Sequence, residues 1–285
     1  MKERCWLYSG SSSTPAYPSK SSSFKINPAA VPLDDGWGGE FLLFDGVDAG
    51  LVKGNGRIGA GLSLSNGEET FFGPPGLEFN SDLLARKQDH KKYDPQNVAV
   101  AGAFNILSNK RSGLSRFQLN LGLIGKYNKL SEDLWPGAGL SGILGPLTFG
   151  YAVSEDQYVI DQGTGPQNYL KFKYEVATTS VGVFLNSLAV DYSFLNIKVD
   201  NSEVLTIQLL TGSVLLKRWI FTLAHRREDS SRPDYDYKAK SLKTEQIKRE
   251  VFGGIQFSAT KTLMVGVFHN YYLLRELAFG LTLFF

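Results

Sequence analysis

The sequence predicts an all-β chain. It reads as a transmembrane antiparallel β-barrel of fourteen strands, with twelve as the alternative count, and an N-terminal segment in its lumen. Three observations predict this. Apolar residues recur with period two over most of the chain. Short and long connections largely alternate. The apolar alternation runs into the last residue, Phe285.

The strands read, in order, as 37–45, 47–53, 56–65, 97–107, 114–127, 136–144, 147–155, 169–185, 188–199, 203–214, 217–228, 247–260, 262–272 and 276–285. The second is short, and without it twelve strands and a longer extension remain. In 114–127, Phe117, Leu119, Leu121 and Leu123 share one face; Arg116, Gln118, Asn120 and Lys126 share the other. Leu147, Phe149, Tyr151 and Val153 alternate with Thr148, Gly150, Ala152 and Ser154. Leu170, Phe172, Tyr174 and Val176 oppose Lys171, Lys173 and Glu175. Leu188, Val190, Tyr192 and Phe194 oppose Ala189, Asp191 and Ser193. Trp219, Phe221 and Leu223 oppose Arg218, Thr222 and Arg226. Leu263, Val265 and Val267 make the weakest set, against Met264, Gly266 and Phe268. The last strand sets Leu277, Phe279, Leu281, Leu283 and Phe285 against Ala278, Gly280 and Thr282. A pleated strand sends successive side chains to opposite faces, so each segment has one greasy face. That face meets a core in a soluble sandwich and lipid in a membrane barrel.

The connections decide between them. Gly145-Pro146, Asn186-Ser187, Thr260-Lys261 and Lys53 to Gly56 are tight; 66–97, 128–136, 155–168 and 228–248 are long and polar. Segregation by length on two rims belongs to outer-membrane barrels. Fourteen spans of about 9–11 residues fit the length and leave residues 1–35 as an extension before a barrel of 36–285.

Composition excludes other classes. Charged residues are 20% and the net charge is +2, which argues against a nucleic-acid binder. No stretch approaches the about 18 apolar residues of a membrane helix, and mean hydropathy is −0.14. Ser81 to Lys92 is the one helix-like stretch. One cysteine, Cys5, excludes an intramolecular disulfide framework and a cysteine-rich zinc site. No apolar core follows Met1-Lys2-Glu3-Arg4, so no secretory signal is readable, and Cys5 lacks a lipobox. His90, His225 and His269 show no metal spacing, and no nucleophile elbow or phosphate loop occurs. No enzyme, cofactor or nucleic-acid partner is therefore expected.

A terminal Phe on the greasy face of a final strand resembles the closing-strand signal that the barrel assembly machinery reads in bacterial outer-membrane proteins. Phe285 fits that pattern. Asn27-Pro28-Ala29-Ala30, after a Ser-rich stretch, resembles the Asn-Pro-Ala motif of the FadL-like transporters of long-chain fatty acids and aromatic hydrocarbons. PorV-type scaffold barrels carry a related motif. The resemblance implies a fourteen-stranded barrel with an N-terminal plug, in the bacterial outer membrane. This chain departs from the family in its compact loops.

The alternation places Arg57, Arg116, Gln118, Asn120, Lys126, Lys171, Lys173, Glu175, Asp191, Gln208, Arg218, Arg226 and Gln256 toward the lumen. Charges there must be hydrated or paired. They are either salt bridges bracing a plug or a conduit with a positive bias. Thr70 to Leu77, with Phe71-Phe72 beside Pro74-Pro75, reads as a capturing lip or a loop folded over the mouth. The basic runs 86–92 and 226–232 face lipopolysaccharide phosphates or plain solvent. Trp135, Tyr169, Tyr192, Trp219, Tyr271 and Tyr272 suit interfacial girdles. The functional expectation is passive passage of small hydrophobic or amphipathic solutes. The alternative is a structural barrel that binds other envelope proteins.

Overall fold

A computed structural model describes residues 24–31, 36–43, 47–65, 97–109, 116–129, 132–161, 169–185, 187–199, 204–229, 233–236, 241–244, 247–270 and 277–285. The strands are β1 (Gly36–Leu43), β2 (Val47–Gly54), β3 (Ile58–Ser65), β4 (Asn97–Ser108), β5 (Phe117–Asn128) and β6 (Asp133–Leu144). There follow β7 (Leu147–Asp161), β8 (Tyr169–Leu185), β9 (Leu188–Val199), β10 (Val204–Leu216) and β11 (Trp219–Asp229). After a two-stranded hairpin of β12 (Pro233–Asp236) and β13 (Ser241–Thr244) come β14 (Ile247–Ser258), β15 (Leu263–Asn270) and β16 (Leu277–Phe284).

All strands but β12 and β13 form one closed antiparallel barrel of fourteen, each hydrogen-bonded to its sequence neighbour in the ring. Closure joins β1 to β16, with Gly38 opposite Phe284. Trp37 and Phe285 exchange backbone hydrogen bonds of 3.1 Å at that seam. A closed ring leaves no unpaired edge. β2 is a full member, paired on both sides, so the count is fourteen and not twelve.

The turns explain their sequence. Gly145 takes φ 59 in the two-residue β6–β7 turn, a conformation that favours glycine, and Pro146 follows with its fixed φ. In β4 the register shifts between Asn105 and Leu107. The Asn105 amide holds this bulge by donating to the Leu119 carbonyl at 3.1 Å and to Asn120 Oδ1 at 2.9 Å. The expected long connection 128–136 is instead tight: β6 begins at Asp133, and the Glu132 N–H donates to the Asn128 carbonyl at 2.9 Å. β7 also runs further than expected, to Asp161. The helix-like 81–92, the 70–77 segment, the 86–92 run and Cys5 lie outside the described residues.

The two faces separate as the alternation requires. Leu147, Phe149, Tyr151 and Val153 of β7 are exposed, and Ala152 and Ser154 are buried. β16 repeats this: Leu277, Phe279 and Leu281 point out; Ala278, Thr282 and Phe284 point in. Exposed Phe41, Leu62, Val100, Leu123, Val181, Val190, Leu210, Phe221, Ile255 and Val267 continue the belt around the ring. Water penalises apolar surface by about 25 cal/mol per Å². A belt of this extent is solvated by acyl chains. The barrel is a membrane-spanning one.

Candidate functional site

The lumen holds a short inner segment, residues 24–31. Asn27 caps a 3₁₀ turn at Pro28–Ala30: its Oδ1 accepts from the Ala29 N–H at 3.0 Å. Asn and Pro suit these positions because the cap supplies an acceptor and Pro needs no N–H partner. The Asn27 amide also donates to the Leu140 carbonyl at 3.1 Å, and the Ser141 hydroxyl donates to the Ala29 carbonyl at 3.0 Å. The Asn27-Pro28-Ala29-Ala30 motif thus lies against the inner wall of β5 and β6, fully buried.

Missing side chains in the wall make room for it. A Cβ on Gly122 would overlap the Pro28–Ala29 backbone, and one on Gly139 would overlap the Asn27 carboxamide. A Cβ on Gly61 would stand 2.9 Å from the Phe24 ring. Phe24 packs with Val31, Val52, Ala99, Ala101 and Ile124. Lys25 reaches β2, where its ammonium lies 2.6 Å from Asp48 Oδ2, and the Ser63 hydroxyl donates to Asp48 Oδ1 at 3.1 Å. Lys25 and Asp48 are both buried. Beside this pair is a small cavity lined by Lys25, Ser63, Ser65, Asn97, Lys126, Asn128 and Trp135.

The opposite wall is different. Near the long-loop rim, Val176, Leu195, Ile197 and Ile207 form an apolar cluster facing inward. Below it lies a belt of buried hydroxyls: Thr178, Ser180, Ser193, Thr211, Ser213 and Thr222. Near the short-turn rim, Ile220, Met264 and Phe284 form a second apolar cluster, with Phe184 and Leu215 packed on it. One side of the lumen is thus braced by the inner segment through polar and apolar contacts, and the other is apolar at two levels with hydroxyls between them.

The sequence-predicted residues fall in four groups. Gln118, Asn120, Lys126, Asp191 and Gln256 face the lumen, and all but the half-buried Gln118 are buried. Gln118 donates to Asn120 Oδ1 at 3.1 Å, and Asn120 lies 3.4 Å from the Ser141 hydroxyl. Ser193 donates to Asp191 Oδ1 at 2.8 Å. Arg116 and Arg226 are half-buried at opposite ends of the same inner face, Arg116 bonding Gln118 at 3.2 Å.

The second group corrects the expectation. Arg57 and Arg218 are exposed turn residues on the short-turn rim, because each lies just beyond the end of its strand. With exposed Lys53, Lys217 and Lys261 they give that rim a basic character. Lys173 and Glu175 take outer-face positions with Ala177, Thr179 and Val181, and Val176 turns inward. Over Lys173 to Val176 the charged residues thus face out and the apolar Val176 lines the lumen; Lys173 pairs with Glu155 there at 3.0 Å. Gln208 also faces out and accepts from the Tyr192 hydroxyl at 3.1 Å. Third, the Lys171, Tyr169, Tyr271 and Tyr272 side chains lie outside the described residues. Fourth, Phe285 is exposed on the outer face at the seam, and the Trp219 ring lies tilted against Phe257, centroids 4.6 Å apart, on the short-turn rim.

The Lys25–Asp48 pair and the inward position of Glu40 escaped the sequence reading. In β2 the alternation of Asp48 and Val52 with Ala49 and Leu51 carried the signal, in a strand too short to read with weight. Among the described residues no group of three His, Cys, Asp or Glu side chains gathers as a metal site.

No family model and no curated protein matches the chain. Among solved structures it is similar to the CymD monoaromatic hydrocarbon channel, at 8% identity and a TM-score of 0.44, over 93% of this chain and 91% of that one. It is similar to Salmonella typhi OmpF, solved with daunomycin, at 10% identity and 0.44, over 88% and 97%. A loop-deletion mutant of OmpT, an outer membrane protein of Vibrio cholerae, gives 8% identity and 0.42 over 88% and 97%.

Proposed function

We propose that the protein is a FadL-like barrel of the bacterial outer membrane that passes small hydrophobic or amphipathic solutes by diffusion, without enzymatic chemistry. The carrying observation is the apolar inner wall. Val176, Leu195, Ile197 and Ile207 at one end, and Ile220, Met264 and Phe284 at the other, offer greasy contacts inside a barrel whose exterior already supplies the lipid face. A lumen for ions alone has no use for them. The even strand number and the tight turns on one rim support the outer membrane as the location. In this reading Phe285 serves the assembly machinery, and the long-loop rim meets lipopolysaccharide.

The inner segment is the plug of this reading. It fills the β3–β6 side and leaves the apolar wall as the path. The test is flux of small neutral amphipathic solutes into proteoliposomes. Entry above protein-free vesicles is expected, and faster entry when residues 1–31 are deleted. No entry in either form contradicts transport.

One observation favours a second reading, a scaffold barrel that holds other envelope proteins. The inner face is buried over nearly its whole height, Ser193 and Gln256 to 1% exposure. Stable partners on purification, together with a sealed lumen, would establish that reading.

A further inference from the structure

Gln256 is buried to 1% exposure on the inner face of β14, and neither its amide oxygen nor its amide nitrogen has a hydrogen-bond partner. The nearest inner-face hydroxyl on β11, Thr222, is bonded to Ser213 at 3.0 Å instead. Across the strands Gln256 stands opposite Ile220 on β11 and Gly266 on β15. Met264 and Phe268 flank it on β15 from the same face. The Phe268 ring lies over bare Gly254 and Gly266, where an added Cβ would overlap it. A buried primary amide with both functions unmet costs free energy that a leucine of similar size would avoid. Such a group in a mostly apolar collar at the short-turn end of a lumen has a use when something arrives to bond it.

We propose that Gln256 is the hydrogen-bonding seat of a solute-binding site. The ligand class is an uncharged molecule with an apolar body and one hydroxyl, carbonyl or amide. Its apolar body packs on Met264, Ile220 and Phe284; its polar group bonds the Gln256 amide, which can both donate and accept. Anionic solutes are disfavoured, because the charged group beside the collar among the described residues is the inward carboxylate of Glu40, opposite Thr282 and next to Phe284. The inference rests on the reading of the lumen as a solute path, and it deepens that reading by naming the group selected for.

Met264 gives a direct probe, since the chain has two methionines, Met1 and Met264. Labelled methionine methyl groups in detergent-solubilised barrel are followed by NMR during titration with cyclohexanol and, separately, cyclohexane. The Met264 signal is expected to shift with both. Gln256→Leu is expected to weaken cyclohexanol about tenfold or more and to change cyclohexane less than about twofold. The same variant is expected to unfold at a higher temperature, and Gln256→Asn checks that the barrel folds when a shorter amide is present. A Met264 signal that ignores both solutes, or equal effects of Gln256→Leu on the two, overturns the proposal. Flux is a separate readout: binding without flux removes the transport reading and leaves the site, and flux without this binding does the reverse.

Discussion

Asp48→Ala should release the inner segment from the wall. Lys25 and Asp48 meet at 2.6 Å with both side chains nearly out of water. Removing one member of a buried pair costs about 3–5 kcal/mol, because the remaining charge loses its partner. The segment is short, and besides this pair it is held by hydrogen bonds from Asn27 and Ser141 and by the packing of Phe24 and Val31 against the wall. Hydrogen exchange at the amides of Ala29 to Val31 should speed up by about 100-fold or more, as a loss of about 3 kcal/mol requires. Barrel amides in β7 and β8 should not change. The double variant Lys25→Met with Asp48→Leu should recover most of the protection, because an apolar pair of similar volume replaces a buried ion pair at little cost. Equal exchange in the single and double variants would mean that the pair does not hold the segment.

Gly122→Val should displace the same segment by volume alone. The added carbons would occupy the space of the Pro28–Ala29 backbone, and backbone cannot rotate away as a side chain does. Asn27 fixes the segment on one side through the Leu140 carbonyl, so the overlap is not relieved by a small slide. Overpacking of this kind costs about 1–3 kcal/mol where neighbours can adjust, and more where backbone is struck. Planar-bilayer recording should show larger conductance than the unmodified barrel. Gly212→Ala is the control. A Cβ there meets nothing within 4 Å, and its conductance should match the unmodified barrel. Unchanged conductance in Gly122→Val would mean that the inner segment does not obstruct the path.

The two effects depend on features of unequal legibility in sequence. β7 over 147–154 and the whole of β16 were readable residue by residue, because both cross the apolar belt there and a single rule sets both faces. β8 was not. Its seventeen residues outrun the membrane, and at the long-loop end the solvents exchange places. Lys173 and Glu175 there face outward to water, and Val176 joins an apolar lumen. Arg57 and Arg218 were misplaced for a related reason, since the alternation of a strand does not extend into its turn. The Asn27 motif was legible as a cap, and the structure adds what it caps against. The Lys25–Asp48 contact was not legible, because 23 residues separate the partners and only the inward path of the segment brings them together. Gly122 and Gly139 looked like ordinary small residues of an inner face. Their role comes from a segment more than 90 residues away, and no periodicity encodes it.

The account depends on which face of each strand meets lipid. Single spin labels placed in turn at Leu147 through Ser154, in a barrel lacking Cys5 and reconstituted in bilayers, test this directly. Collision rates with oxygen, which concentrates in the acyl region, should be high at positions 147, 149, 151 and 153 and low at 148, 150, 152 and 154. A pattern of the opposite phase, or one without period two, would place those aliphatic and aromatic side chains in a protein interior and contradict the membrane barrel.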